Sequence, residues 1–288
     1  MHRWAAIDEA RAQPLRRIPF VVGGLEVGSV AEDGAEALLA LGAPLSIDGT
    51  RIELDAALGD LASRSAALHD INAALREREL ISGWRDETYP VLAAPGGEAL
   101  ALIERAASRF WGTLTLGAHA NGYVAGRDGK PTHLWIARRA WTKPTDPGLL
   151  DNLIGGGVPH GQTPRETLLR EGDEEAGLAS DVTARAVPGR VIALHRALPD
   201  CAGLGLQHEH LHAFDLRLPA FVQPFNRDGE VAQLWLATVD EAIEHAACGE
   251  MTVDAALVTL DFALRQRLLS PHEHEALARR AAHLWAAA

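Results

Sequence analysis

Apolar and polar positions follow two regimes along the chain. Up to about residue 112, short strand-like runs alternate with helical periodicity. Residues 3–12 suit a helix, and residues 19–30, PFVVGGLEVGSV, read as two strands about a Gly-Gly turn. Leu38, Leu39 and Leu41 belong to a following helix, and residues 45–54 form a second hairpin with Asp48-Gly49 as its turn. Residues 56–79 carry helical periodicity, with a break expected near His69-Asp70. Residues 84–92, WRDETYPVL, are strand-like with polar and aromatic positions interleaved, and residues 98–110 suit another helix.

From residue 113 strands dominate. Residues 113–124 alternate so that Gly117, His119, Asn121 and Tyr123 share one face. Residues 133–139 form the next strand, joined through Asp128-Gly129, and a proline-rich loop leads toward a glycine run. Further strands are expected at 190–197, 210–218 and 231–238, and helices at 239–247, 253–267 and 271–287. Strands flanking a helix, then more strands and helices, suit a mixed sheet between helical layers. The division expected is a small α+β domain at 1–112 and a second domain at 113–288.

One stretch departs from plain amphipathic patterning. Residues 155–178 read GGGVPHGQTPRETLLREGDEEAGL, a glycine-rich loop followed by a short acidic helix over about 164–176. Thr163 and Glu166 form a capping box, Pro164 stands at the first helical position, and Gly177 suits a left-handed close. At roughly 100° per residue, Glu171, Glu174 and Glu175 share one face beside Thr167. Like charges at such spacings destabilise a helix. Three carboxylates opposite a glycine loop therefore point to a divalent cation, and hard oxygen donors suit Mg2+ or Mn2+.

Composition and charge narrow the field further. The 288 residues are 47% hydrophobic and 23% charged, enough for a sizeable core. A formal net charge of −12 argues against nucleic-acid polymers and anionic membranes as partners. A small phosphorylated substrate stays open, because a bound cation inverts the local charge. The two cysteines, Cys201 and Cys248, offer no disulfide framework, which suits a reducing, cytoplasmic setting. No signal-like or membrane-length apolar run is expected. His208, His210 and His212 alternate along one strand, but no cysteine or second cluster supports a zinc site. Trp111, Trp135 and Trp235 read as core residues, whereas Trp84 lies among Arg85, Glu87 and Tyr89.

The acidic stretch resembles the Nudix box. Gly156 opens the pattern, and Arg170-Glu171, Glu174-Glu175, Gly177 and Leu178 complete it. Gln162 stands where the first glutamate is usual, and Gly172 where an apolar residue is usual. The resemblance reaches TLGAHANGYV, LWIARRAWTKPTDPG and DGEVAQLWL, and WRDETYPV looks like the end of an extra N-terminal domain. Together these are similar to a Nudix subgroup related to proteins associated with thiamine pyrophosphokinase.

The resemblance implies an α/β fold, a Nudix α/β/α sandwich with a mixed sheet behind a small α+β domain. It implies hydrolysis of a diphosphate linkage, with thiamine diphosphate or its oxo and oxy forms as substrate. Nucleoside diphosphates such as 8-oxo-dGDP, or ADP-ribose, are the alternative, and a non-catalytic metabolite sensor is a third. Glu171, Glu174, Glu175, Glu230 and the backbone of Gly155 are the expected metal ligands. Glu171 or Glu230 is the expected general base, and Arg170 orients the carboxylates. Arg138, Arg139 and Lys143 are candidates for phosphate contact, and Trp84, His119, Asn121 and Tyr123 for the organic half. A homodimer is possible, and the sequence leaves the oligomeric state open.

Overall fold

The computed structural model describes residues 3–286. The first helix, α1 (Ala5–Glu9), is followed by the hairpin β1 (Arg17–Val22) and β2 (Leu25–Ala31), with positive φ at Gly23 and Gly24 in its turn. Next come α2 (Glu32–Leu39), the short hairpin β3 (Leu45–Ile47) and β4 (Ile52–Leu54), and α3 (Leu61–Glu77). These strands form a sheet of order β2-β1-β4-β3.

The helix α3 runs unbroken through His69-Asp70, against expectation. Both residues are exposed while Leu68, Ile71 and Leu75 are buried, so the polar pair lies on the solvent side of one amphipathic helix. Residues 98–110 split into β6 (Ala101–Glu104) and α4 (Arg105–Trp111), because β6 pairs antiparallel with β5 (Thr88–Val91). Phe20, Phe110, Trp111 and Leu68 centre the core of this unit, and the Trp111 indole donates to Asn72 Oδ1 at 2.7 Å.

The second unit holds a mixed sheet. It comprises β7 (Thr115–Ala125), β8 (Pro131–Arg139), β9 (Leu150–Asp151) and β10 (Ile154–Gly157). The acidic helix α5 (Pro164–Glu174) and the short α6 (Ser180–Thr183) follow, then β11 (Val187–Leu198), β12 (Gly205–Arg217) and β13 (Val231–Thr238). The helices α7 (Val239–Ala247), α8 (Val253–Arg265) and α9 (Pro271–Ala281) complete the chain. The last helix stops at Ala281, short of expectation; Ala287 lies outside the described residues.

The sheet order is β11-β12-β7-β8-β13, with β10 on β7 and β9 on β8. Only the β12–β7 pairing is parallel. One edge of β7 is shared: β10 takes residues 117–120 and β8 takes residues 123–125. Alternation along β7 and β12 then fills both faces. Ala118, Ala120, Phe214 and Leu216 meet the α5 side, while Leu211 and Ala213 meet the side of α8. A mixed sheet between helical layers results.

The two units interlock. The segment that begins the chain packs on the second: Trp4 and Ile7 join the α8 core, and the His195 amide donates to Ala10 O at 2.8 Å. In return, Cys201 and Leu204 of the β11–β12 turn reach the first unit's core. Arg109 pairs with Asp200 across the same junction.

Candidate active site

A glycine strand and a capped helix build the centre of the site. Thr163 Oγ1 accepts from the Glu166 amide at 3.2 Å, and Glu166 accepts from the Thr163 amide at 2.8 Å. This box starts α5 at a fixed residue and so fixes which carboxylates face β10. Gln162 Oε1 accepts from the buried Thr167 hydroxyl at 2.9 Å, so the departure from the usual glutamate serves the first turn. Gly172, the other departure, lies against Thr183 and Ile154, where a Cβ would come within 2.7 Å of Thr183 Oγ1.

The three box carboxylates have different partners. Glu175 is 7% exposed and accepts from the Gly155 amide at 2.8 Å. Burial first, and the Glu171 charge second, raise its pKa well above the usual carboxylate range. Glu171 also lies above its ordinary value, through burial, though Arg170 works against the shift. Arg170 donates to Glu171 Oε1 and to Glu174 Oε2, each at 2.7 Å. Gly156 leaves room for Glu171, because a Cβ there would overlap its carboxylate.

A facing cluster of three carboxylates was expected. As the side chains stand, no three acidic, imidazole or thiol groups among the described residues converge on one metal position. The reason is electrostatic: Arg170 offsets the repulsion between Glu171 and Glu174, and Glu175 turns to a backbone N–H. The donor chemistry nonetheless suits a hard divalent cation. Hard oxygens are concentrated at a glycine backbone, and the buried Glu175 feels the charge of Glu171 there.

Glu171, Glu174, Arg170 and the glycine strand open into a cleft of about 650 Å³ between the two units, while Glu175 lies behind it. Glu230 lies in it, paired with Lys143 and with Arg85 at 3.3 Å. Burial works to raise the Glu230 pKa, but the Lys143 hydrogen bond and charge outweigh it and hold it below the usual range. His119 reaches the cleft beside Gly155, its Nδ1 3.1 Å from Asn152 Oδ1 and 3.6 Å from Asp151. Arg139 lines the cleft but is held by Asp151 at 2.8 Å and by the carbonyls of Thr145 and Asp146.

Four expected substrate contacts lie outside this cleft. Asn121 donates to Val258 O at 3.1 Å and accepts from Asn152, a buried polar link between β7 and α8. Tyr123 packs on Phe262, with ring centroids 5.4 Å apart. Arg138 donates to Gly148 O and covers the Trp235 ring. Trp84 lies under the Arg76 guanidinium, with its indole donating to Asp86 at 2.8 Å. Each side chain is committed to a partner of its own.

Other lining residues escaped sequence reasoning. Glu209 of β12 lies against Gly117, where a Cβ would meet its Oε1 at 2.5 Å. Burial and the neighbouring Asp254 raise its pKa, against a hydrogen bond from Gln207. The same Gln207 amide reaches Asp254 at 3.0 Å, and Asp146 lines the cleft too. From the first unit come Tyr89 and Arg105, both against Gly157. The signal for Tyr89 was its place in WRDETYPV; nothing local marks Glu209 or Arg105.

Residues 2–115 match a domain of unknown function, DUF4743, and residues 116–257 match the NUDIX domain. Two proteins of Arabidopsis thaliana are similar. "Nudix hydrolase 24, chloroplastic" is 34% identical over 224 residues, 77% of this chain and 60% of that protein. "Nudix hydrolase 20, chloroplastic" is 33% identical over 231 residues, 79% of this chain and 59% of that protein. The chain thus spans about 60% of the length of these relatives. Among solved structures, DR0079 of Deinococcus radiodurans is 22% identical with a TM-score of 0.46, covering 61% of this chain and 99% of that one.

Proposed function

The chain belongs to the Nudix superfamily, its NUDIX domain preceded by a DUF4743 domain, and from that premise we propose that it is a metal-dependent hydrolase of a phosphoric anhydride bond. The observation that carries this proposal is the capped helix α5 set against β10, with Glu175 tied to Gly155 and Glu171 fitted over Gly156. In it, Glu171, Glu174, Glu175, Glu230 and the Gly155 backbone would hold the divalent cation, with Mg2+ the first choice and Mn2+ the second, each carboxylate giving up its present partner to do so. Such an ion, when bound, neutralises the diphosphate and acidifies a bound water.

The chain's own residues do the rest. Arg170 keeps Glu171 and Glu174 oriented. Between the two base candidates, Glu230 has both oxygens engaged by cations, whereas Glu171 is held by Arg170 through one oxygen and stands over the glycine strand at Gly156. Glu171 is therefore assigned the role of accepting the water proton.

For the organic half we propose thiamine diphosphate or its oxo and oxy forms, cleaved to the monophosphate. Two things support this choice. The chain resembles a Nudix subgroup related to proteins associated with thiamine pyrophosphokinase, and its cleft carries Asp146, Glu209 and Asp254 beyond Glu171 and Glu174, an anionic lining suited to a cationic ring. A reducing compartment, the cytoplasm first, is proposed from the unpaired Cys201 and Cys248. Among the described residues no helix is long and apolar enough to cross a membrane.

The test is kcat/KM, with Mg2+, for thiamine diphosphate, its oxo and oxy forms, 8-oxo-dGDP and ADP-ribose. Preference for the thiamine compounds is expected. Preference for a nucleotide would overturn the substrate assignment and leave the hydrolase standing.

A further inference from the structure

The first unit contributes one wall of the cleft, and its most deeply set group there is a tyrosine. Tyr89 is 4% exposed, and its hydroxyl has no hydrogen-bond partner among the described residues. A buried hydroxyl left unpaired is unfavourable, and such groups in a functional cleft call for a ligand. Tyr89 lines the cleft at the glycine strand, where a Cβ on Gly157 would overlap its oxygen. The Arg105 guanidinium carbon stands 3.5 Å from that same Cβ position.

Main-chain bonds fix this meeting point. The His160 amide, just past β10, donates to Thr88 O at 2.8 Å, which ties β5 to the box loop. The Arg105 amide donates to Glu87 O at 2.8 Å, and its guanidinium donates to Glu87 Oε2 at 2.8 Å. Arg105 is thus oriented from its own unit while its head faces the other. On the box side of the cleft the charge is anionic, and Lys143 and Arg85 are already paired with Glu230. Arg105, though also paired with Glu87, stands beside the glycine run at Gly157.

We infer that the DUF4743 domain supplies part of the substrate site, with the Tyr89 hydroxyl donating to, and Arg105 pairing with, a phosphoryl oxygen of the diphosphate. This rests on the hydrolase assignment above and gives the first domain a role in it. Burial raises the Tyr89 pKa, so the phenol stays a neutral donor throughout the working pH range. Recognition of the phosphoryl end then requires both domains, held in the interlocked arrangement of the full chain.

The test compares wild type, Y89F and R105K in three readouts. These are binding of methylenediphosphonate with Mg2+ by calorimetry, kcat and KM on the best diphosphate of the panel, and thermal midpoint. Y89F removes one oxygen that has no partner in the fold, so its midpoint is expected to stay level or rise. Its methylenediphosphonate affinity and kcat/KM are expected to fall by roughly 10-fold or more, the usual loss for one hydrogen bond to a charged group. R105K keeps the charge but loses the forked geometry, and a comparable loss is expected. Wild-type turnover with Y89F and R105K unchanged would overturn this inference alone. A Y89F loss accompanied by a fall of several degrees in the midpoint would also overturn it, assigning Tyr89 to packing. Absence of both wild-type turnover and methylenediphosphonate binding would overturn the hydrolase assignment, and the inference with it.

Discussion

The Gly155 amide donates to Glu175 Oε2 at 2.8 Å, joining the glycine strand to the end of the acidic helix. That one bond makes Glu175 the most deeply held of the three box carboxylates. Among the described residues it is the one backbone hydrogen bond to a buried carboxylate that also feels Glu171.

Replacing Glu175 with Gln keeps an acceptor for the Gly155 amide and removes the buried charge. In chelator, the E175Q protein is expected to melt at the same temperature or higher than wild type, because a raised carboxyl pKa marks a charge the fold disfavours. Turnover is expected to fall by roughly 100-fold or more, as for loss of a metal-binding carboxylate. Thermal denaturation and kcat, measured on the same preparation, check both halves. A lower midpoint would show that Glu175 serves the fold instead.

Gly172 departs from the box pattern for a packing reason. A Cβ there would come within 2.7 Å of Thr183 Oγ1 and 3.3 Å of Ile154 Cδ1. Substituting Leu, which the usual pattern calls for, improves helix propensity by about 1 kcal/mol relative to Gly. Overpacking against α6 costs about 1–3 kcal/mol, and more for a side chain of that size. Net destabilisation of G172L is expected by chemical denaturation, with part of it recovered in the G172L/T183A pair.

Acid sensitivity is expected from the histidines of β11 and β12. The His208 pKa is pushed down to about 4, by burial first and then by His195, whose ring lies 5.3 Å away. His195 and His210 are also lowered, with Arg11 adding to both. In the unfolded chain a histidine binds its proton near pH 6.5. Between about 6.5 and 4 the unfolded state therefore holds more protons, and stability falls as pH falls. For His208 alone the loss is on the order of 3 kcal/mol. Urea denaturation between pH 7 and 4.5 is expected to show this slope, and H208Q to flatten it.

Legibility in the sequence followed the range of the forces involved. The box helix was readable because its cap, its carboxylate face and its glycine run are all local, spaced within one helix and one loop. The hairpins at Gly23-Gly24 and Asp48-Gly49 were readable for the same reason. The break expected at His69-Asp70 failed because a polar pair on the solvent face of a helix leaves the buried stripe intact. The strand β6 was hidden in an apolar, alanine-rich run, where pairing with β5 decides the conformation. Alternation on β7 placed His119, Asn121 and Tyr123 on one face, but the face changes neighbours along its length. His119 meets the cleft, Asn121 a polar link and Tyr123 the α8 core. Arg105 and Glu209 enter the cleft only through tertiary contact, for which the sequence carries no local signal.

The most direct test of the hydrolase assignment is metal-dependent turnover of a diphosphate ester by wild type and E171Q, followed by 31P NMR. Wild type is expected to release a monophosphate product with Mg2+ or Mn2+ and none in chelator. E171Q, which retains an amide beside Arg170 and Gly156 but lacks the proton-accepting carboxylate, is expected to lose at least about 100-fold in kcat while remaining folded. Turnover by E171Q equal to wild type, or turnover undiminished in chelator, would contradict the account.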